Sequence, residues 1–289
     1  MSNTIELAKS FVPKLDECYR LASLTSVLDG APELAKQGAN ANELIIPMMS
    51  MDGLADYSRN GGYVQGGVTM TNETVKCNFD RGRRFDVDVM DDLETAGLAF
   101  GRLSAQFIRD KVVPELDAFR FASYCGISGV TKKEETLANG VATVAALSAA
   151  VTAMDDEEVT ATGRYLFITP TLLQGINDMD TTKSKKVLEG FERVIKVPQR
   201  RFYTAIKQLS GKTGEEAGGY TKAAGAANIN FAIVQKDALI QYTKHAAPKI
   251  IAPENNPDAD AYVFGYRMVG IAKAYKNMLS GMYFSHDQA

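Results

Sequence analysis

The stretch Ser210-Gly211-Lys212-Thr213-Gly214-Glu215 holds the Gly-Lys-Thr of a phosphate-cradling loop, in which backbone amides and the lysine would grip a polyphosphate. That motif needs a glycine five residues before Gly211, and Ile206 stands there, so the chemistry is not expected. The acidic run Asp86, Asp88, Asp91, Asp92 and Glu94 could offer oxygens to a divalent cation. Met90 interrupts the ligand pattern, and the spacing better suits a strand leading into a capped helix. Two histidines are present, and His245, beside Lys244 at an expected helix end, is read as structural; His286 lies in the tail. Cys18, Cys77 and Cys125 are odd in number and far apart, with no paired spacing for zinc or a disulfide framework. No serine sits in a nucleophile elbow, and Asn72-Glu73-Thr74 is a glycosylation sequon that matters only in a secreted chain. No catalytic residue, cofactor site or metal site is expected.

What positions these residues is ordinary globular material: 289 residues, 45% apolar and 23% charged, enough for a sizeable core. The net charge of −3 lacks the basic excess of a protein that coats nucleic acid through phosphates. No apolar run nears the ~18 residues of a membrane span, and the first residues lack a signal-peptide pattern. The expectation is a soluble protein in a reducing compartment. Charge is nonetheless patterned. Residues 183–212 carry nine basic residues against Glu189 and Glu192, while 86–94 is acidic. Solvated faces explain such patches, and head-to-tail association of copies is the sharper reading.

Residues 4–28 read as one or two amphipathic helices, and 31–42 as a connector. ELIIPMMS (43–50) and VTMTNETVKCNF (68–79) read as strands, joined by a long Gly-, Asn- and Asp-rich tip. A tip of that length points to function or to contact with another chain, the alternative being a floppy surface loop. Asp91 with Glu94 has capping-box spacing, and Leu93, Ala96, Phe100, Leu103 and Phe107 follow as a helical stripe. That helix is expected over 92–113, kinked or restarted at Pro114. Beyond it, helix 141–154, strand 164–169, a helix from Pro170, strands 191–197 and 228–235 and helix 236–244 make an α/β module. Strand-like segments over 245–284 close the chain. A sheet uniting them with the early strands would make the module an insertion.

This order of pieces resembles the major capsid proteins of tailed bacteriophages, the Johnson fold also found in encapsulin shells and the herpesvirus capsid floor. LDECYRLASLT (15–25) is similar to the N-terminal arm of that family, and VTMTNETVKCNFDRGRRFDVDVMDDLET (68–95) to the return strand of its extended loop entering the spine helix. FIRDKVVPELDAFRFA (107–122) resembles the end of the spine helix, and AYVFGYRMVGIAKAYKNMLSGMY (261–283) the closing strands.

The resemblance implies an α+β capsid fold with an N-terminal arm (1–42), an extended hairpin called the E-loop (43–88), and a peripheral domain with the spine helix (89–129). An axial α/β domain (130–244) and the peripheral closing strands (245–289) complete it. It implies a non-enzymatic shell subunit forming hexamers and pentamers around viral double-stranded DNA, with a separate scaffolding protein and a portal as partners. The place would be the virion capsid, assembled in the host bacterial cytoplasm, with no membrane involved. Some relatives weld subunits through an E-loop lysine, but residues 50–75 contain none, so non-covalent locking is expected. Asp56 and Arg59 are candidates for intersubunit ion pairs, and Tyr57 and Tyr63 for aromatic anchors. The turn Pro253 to Asp260 would meet neighbouring capsomers, and 209–227 would be a mobile loop near the capsomer axis. An encapsulin-type compartment enclosing an enzyme cargo is the alternative within the fold. A cytosolic enzyme built on the central module is the alternative outside it.

Overall fold

A computed structural model of the chain describes residues 23–30, 36–37, 43–90 and 98–288. Most of the expected arm, including the helical reading of 4–22, and the expected cap at Asp91 and Glu94 lie outside these residues. Where the arm is described, the expected helix is replaced. Ser26–Leu28 form one 3-10 turn, because Ser23 and Thr25 turn inward to a buried carboxylate.

The long hairpin pairs β2 (Glu43–Met51) with β3 (Val68–Lys76), in register from Glu43 opposite Lys76 to Met51 opposite Val68. The short β1 (Lys36–Gln37) runs beside β2. Asn78 then ends the hairpin. Its side-chain amide donates to the Ala272 carbonyl and accepts from the Ala272 N–H, both at 2.9 Å, imitating a strand residue while the backbone turns. β4 (Phe79–Asp88) follows and pairs along its length with β12 (Ala261–Ala274), which also pairs β11 (Leu239–Ile251). So it is β4, and not the strand near residue 45, that unites the early chain with the closing strands.

One helix, α1 (98–126), lies over this sheet. Ile108, Val113 and Leu116 pack on Phe79, Phe264, Tyr266 and Met268. The helix does not restart at Pro114. A π-helical turn, Ile108–Val112, widens the backbone just before the proline, where the ring would otherwise crowd the carbonyl four residues back. At 1.5 Å per residue the rod is about 43 Å long.

A five-stranded sheet has the order β5 (Thr131–Glu134), β13 (Met282–His286), β10 (Ile229–Gln235), β6 (Arg164–Ile168), β7 (Arg193–Lys196). β6 and β10 are buried at every residue, so they are mostly apolar rather than alternating, with Arg164, Asn230 and Gln235 as buried polar exceptions. One face carries α2 (Gly140–Asp156), α3 (Pro170–Asp178) and α4 (Thr182–Glu189), with Leu147, Ile168, Ile176 and Phe231 in the core. The other face packs Phe167, Val234 and Phe284 on Phe121 and Tyr124 of α1. A small hairpin, β8 (Ile206–Gln208) with β9 (Tyr220–Lys222), projects from this module.

Two expectations for individual segments are corrected. Residues 236–244 are not a helix. Gln235 accepts the Asp237 and Ala238 amides, closing a single 3-10 turn, and β11 then starts at Leu239, where Leu239 and Ile240 are buried. His245 therefore lies in a strand, beside an irregularity in the β11–β12 register. β13, expected among the peripheral strands, enters the five-stranded sheet between β10 and β5. Met282, Tyr283 and Phe284 are buried in succession and need cover on both faces, which an interior strand provides. His286 accordingly ends a paired strand and is not in a loose tail.

Candidate assembly surfaces

The distal hairpin is built to be exposed. In the register of β2 and β3, Met49 faces Met70 and Met51 faces Val68, so these four share one face. All four are exposed, Met49 at 60%. Ser50, Thr69 and Thr71 share the opposite face, also exposed. Nearer the base that face turns inward, and Val75 is buried against Ile240 and Ile271. The hairpin is thus anchored at one end and carries a one-sided apolar surface at the other.

At the tip, Asp52 closes the two strands, its backbone N–H donating to the Gly67 carbonyl and its carboxylate accepting the Gly67 N–H at 2.7 Å. Ser58 and Gly62 exchange backbone hydrogen bonds around a tight turn in which Gly62 has φ +75°, the left-handed region that favours glycine. This turn brings Tyr57 and Tyr63 together, ring centroids 4.9 Å apart and tilted by 58°. Asp56 and Arg59 are exposed beside them, and among the described residues neither forms an ion pair. The structure therefore places all four sequence candidates on one exposed tip, with the tyrosines as a preformed pair.

The polar centre of the molecule was missed in the sequence. Asp117 on α1 is fully buried and accepts hydrogen bonds from the Ser23 hydroxyl, the Leu24 and Thr25 amides, the Thr25 hydroxyl at 2.7 Å and Arg201 at 3.2 Å. One turn on, Arg120 is 2% exposed and donates to Thr25, Asp29 and Thr243. Gln241 of β11 donates to the Thr25 carbonyl and to Asp29, and accepts from the Tyr124 hydroxyl at 2.6 Å. One cluster thus fastens segment 23–30 to α1, β11 and the β7–β8 connection. The available signal was Asp117 and Arg120 standing among Leu116, Ala118 and Phe121 on a helix, polar residues set inside an apolar stripe.

Part of the stretch 209–227, expected as a mobile loop, is hydrogen-bonded to β4. Arg81 of β4 pairs with Glu115 at 2.9 Å and donates to the Leu209 and Gly219 carbonyls, and Arg83 donates to the Glu216 carbonyl. Within it the Ser210 amide donates to Glu215 and the Gly214 amide to Glu216, so both amides already have carboxylate acceptors from the chain itself. Lys207 at 2.6 Å and the Ser210 amide hold the Glu215 carboxyl down at about 2. A depressed carboxyl pKa stabilises above the ordinary carboxylate range and loses its effect as acid protonates it. Protection of the Ser210 amide, its exchange measured against the intrinsic rate at each pH, is therefore expected to fall as pH drops from 4.5 towards about 2, and Glu215→Gln to abolish that dependence; an unchanged protection profile would contradict the pairing.

A cleft of about 930 Å³ lies between this loop, β4 and α1, and neither histidine nor cysteine lines it. Burial raises the Glu115 carboxyl there, against the opposing pull of Arg81. Burial likewise pushes the Cys125 thiol up to about 11, which leaves it in the unreactive protonated form. Among the described residues no cluster of His, Cys, Asp and Glu could hold a metal ion, and no helix is long and apolar enough to cross a membrane.

No family model and no curated protein matches the sequence. Solved structures do. A chain of Gordonia phage Cozz is similar at 10% identity over 93% of this chain and 87% of that one, with a TM-score of 0.60. The virus-like particle from Pyrococcus furiosus is similar at 10% identity over 94% and 95% of the two chains, TM-score 0.59. The mature capsid of bacteriophage PhiM1 is similar at 8% identity over 86% and 82%, TM-score 0.57. The described elements, in their order along nearly the whole chain, have the α+β fold of these phage and virus-like-particle structures.

Proposed function

We propose that this chain is the major capsid protein of a tailed phage, a non-enzymatic subunit whose hexamers and pentamers close an icosahedral shell around double-stranded DNA. The observation that carries this reading beyond the fold is the distal hairpin, whose apolar face and paired tyrosines extend away from the chain's own core. Such a face stabilises nothing in the lone subunit, and burying it against a neighbour releases about 25 cal/mol per Å² of apolar surface. In this reading 1–42 is the arm, 43–88 the E-loop, 89–129 and 245–289 the peripheral domain and 130–244 the axial domain, with β13 returning to the axial sheet. Locking is non-covalent, and a separate scaffolding protein and a portal direct assembly in the host bacterial cytoplasm. The finished place is the virion capsid.

The test is expression with and without the scaffolding partner, read by sedimentation and negative-stain images. Closed particles, or capsomers that close only with scaffold, support the reading; a monomer or dimer under every condition overturns it. Met49→Lys with Met51→Lys and Met70→Lys is expected to cut particle yield at least about tenfold while leaving subunit melting unchanged, since these side chains are already exposed. Replacing Asp56, Tyr57, Arg59 and Tyr63 together by Ala is expected to lower particle melting; unchanged melting and yield would remove the tip from the interface.

The similarity to the virus-like particle over 95% of that chain favours one second reading, a compartment shell enclosing an enzyme cargo. Nucleic acid inside native particles selects the phage capsid, and a co-purifying enzyme the compartment.

A further inference from the structure

We propose that Met49, Met51 and Met70 form an oxidation site that switches the hairpin face from assembly-competent to assembly-incompetent. This rests on the reading of that face as a subunit contact. Three of the four side chains that make the face apolar are thioethers, and the fourth is Val68. Their exposures of 60%, 66% and 65% leave the sulfurs open to small oxidants in the unassembled subunit. Aliphatic side chains of similar size would be inert, so sulfur gives this face a chemistry that its apolar character alone does not require.

The reaction needs a peroxide as two-electron oxidant. The thioether sulfur attacks one peroxide oxygen, the O–O bond breaks, the released hydroxide takes up the remaining proton to leave as water, and the sulfur becomes a sulfoxide. The methionine is oxidised, the peroxide reduced, and thiol-dependent sulfoxide reductases reverse the step. Three sulfoxides set side by side turn an apolar face into a polar one, because Met49 stands directly opposite Met70 and Met51 is two residues along the same face. Once a neighbouring subunit covers the face, the same sulfurs are shielded. Oxidation therefore discriminates between subunits still free and subunits already built in.

The molecule carries its own controls. Met90 and Met278 are exposed away from the face, and Met154, Met268 and Met282 are buried. Unassembled full-length chain is treated with hydrogen peroxide, each methionine is followed by peptide mass spectrometry, and assembly is then started. The expected result is sulfoxide at residues 49, 51 and 70 at rates like that of Met90, with Met154, Met268 and Met282 intact. Subunit melting stays unchanged, and closed particles fall at least about tenfold, restored by methionine sulfoxide reductase. The triple variant Met49→Leu, Met51→Leu, Met70→Leu should give the same particle yield with and without peroxide. Full assembly from subunits oxidised at all three positions overturns the proposal, as does equal peroxide damage in the leucine variant. The underlying contact reading fails separately, if preassembled particles are oxidised at these residues as fast as free subunits or if the lysine variant assembles normally.

Discussion

Asp117→Ala is expected to destabilise the subunit by about 3–5 kcal/mol, the cost typical of removing one partner from a buried charged cluster. Five hydrogen bonds end on this carboxylate, three of them from Ser23 and Thr25 and a fourth from the Leu24 amide. Their loss leaves the Leu24 and Thr25 amides without this acceptor and takes from Arg201 the carboxylate it pairs with at 3.2 Å. For a chain of this size the melting temperature should fall by roughly 10 °C. Segment 23–30 should also become sensitive to protease, since its hydroxyls and amides converge on this one acceptor. Arg201→Ala should cost much less, because Arg201 keeps one side towards solvent and Asp117 retains its other donors. Calorimetry of both variants checks the ordering; equal losses would mean that the carboxylate is held chiefly by Arg201 and not by the arm segment.

Gly140→Ala should be nearly as damaging, for a steric reason. α2 and α3 meet at two glycines, and a Cβ on Gly140 would lie 2.1 Å from the Gly175 carbonyl oxygen, a backbone atom that moves only if a helix moves. Overpacking of this kind costs about 1–3 kcal/mol and here reaches the upper end. Gly175→Ala meets nothing nearer than 3.4 Å, and alanine favours a helix interior by about 1 kcal/mol over glycine, so this variant should be neutral or more stable. One contact thus tolerates a methyl group from one side only. Thermal melting of the two single variants reads the asymmetry directly.

β6, β7 and β10 of the five-stranded sheet were legible, β6 and β10 because their stretches RYLFI and INFAIVQ are mostly apolar and β-prone, while the exposed, polar β5 (TKKE) was not read as a strand at all. The exposed hairpin was legible for the opposite reason, since a long Gly- and Asn-rich tip between two strands has few places to go. What pattern could not provide was address. Nothing in MYFSH says whether it joins β12 or β10, because apolar content marks a strand as interior without naming its neighbour. Local pattern also misread Leu239 to Lys244, where a short apolar segment fits a helix or a strand equally until β12 pairs with it. In sequence Asp117 and Arg120 are two polar residues three apart within an apolar helical stretch, with no partner named. Only the fold shows that residues far upstream cover them.

The place of β13 has a consequence in time. It lies between β10 and β5, pairing Tyr283 with both Ile233 and Thr131, so the α/β module lacks an inner strand until residues 282–286 have emerged from the ribosome. A nascent chain holding everything up to residue 244 has all three helices of that module and a sheet with a gap. Contacts between such distant parts of a chain form slowly. The module is therefore completed after its own sequence has been made, and a subunit cut short before Met282 would be unfit to pack beside a finished one.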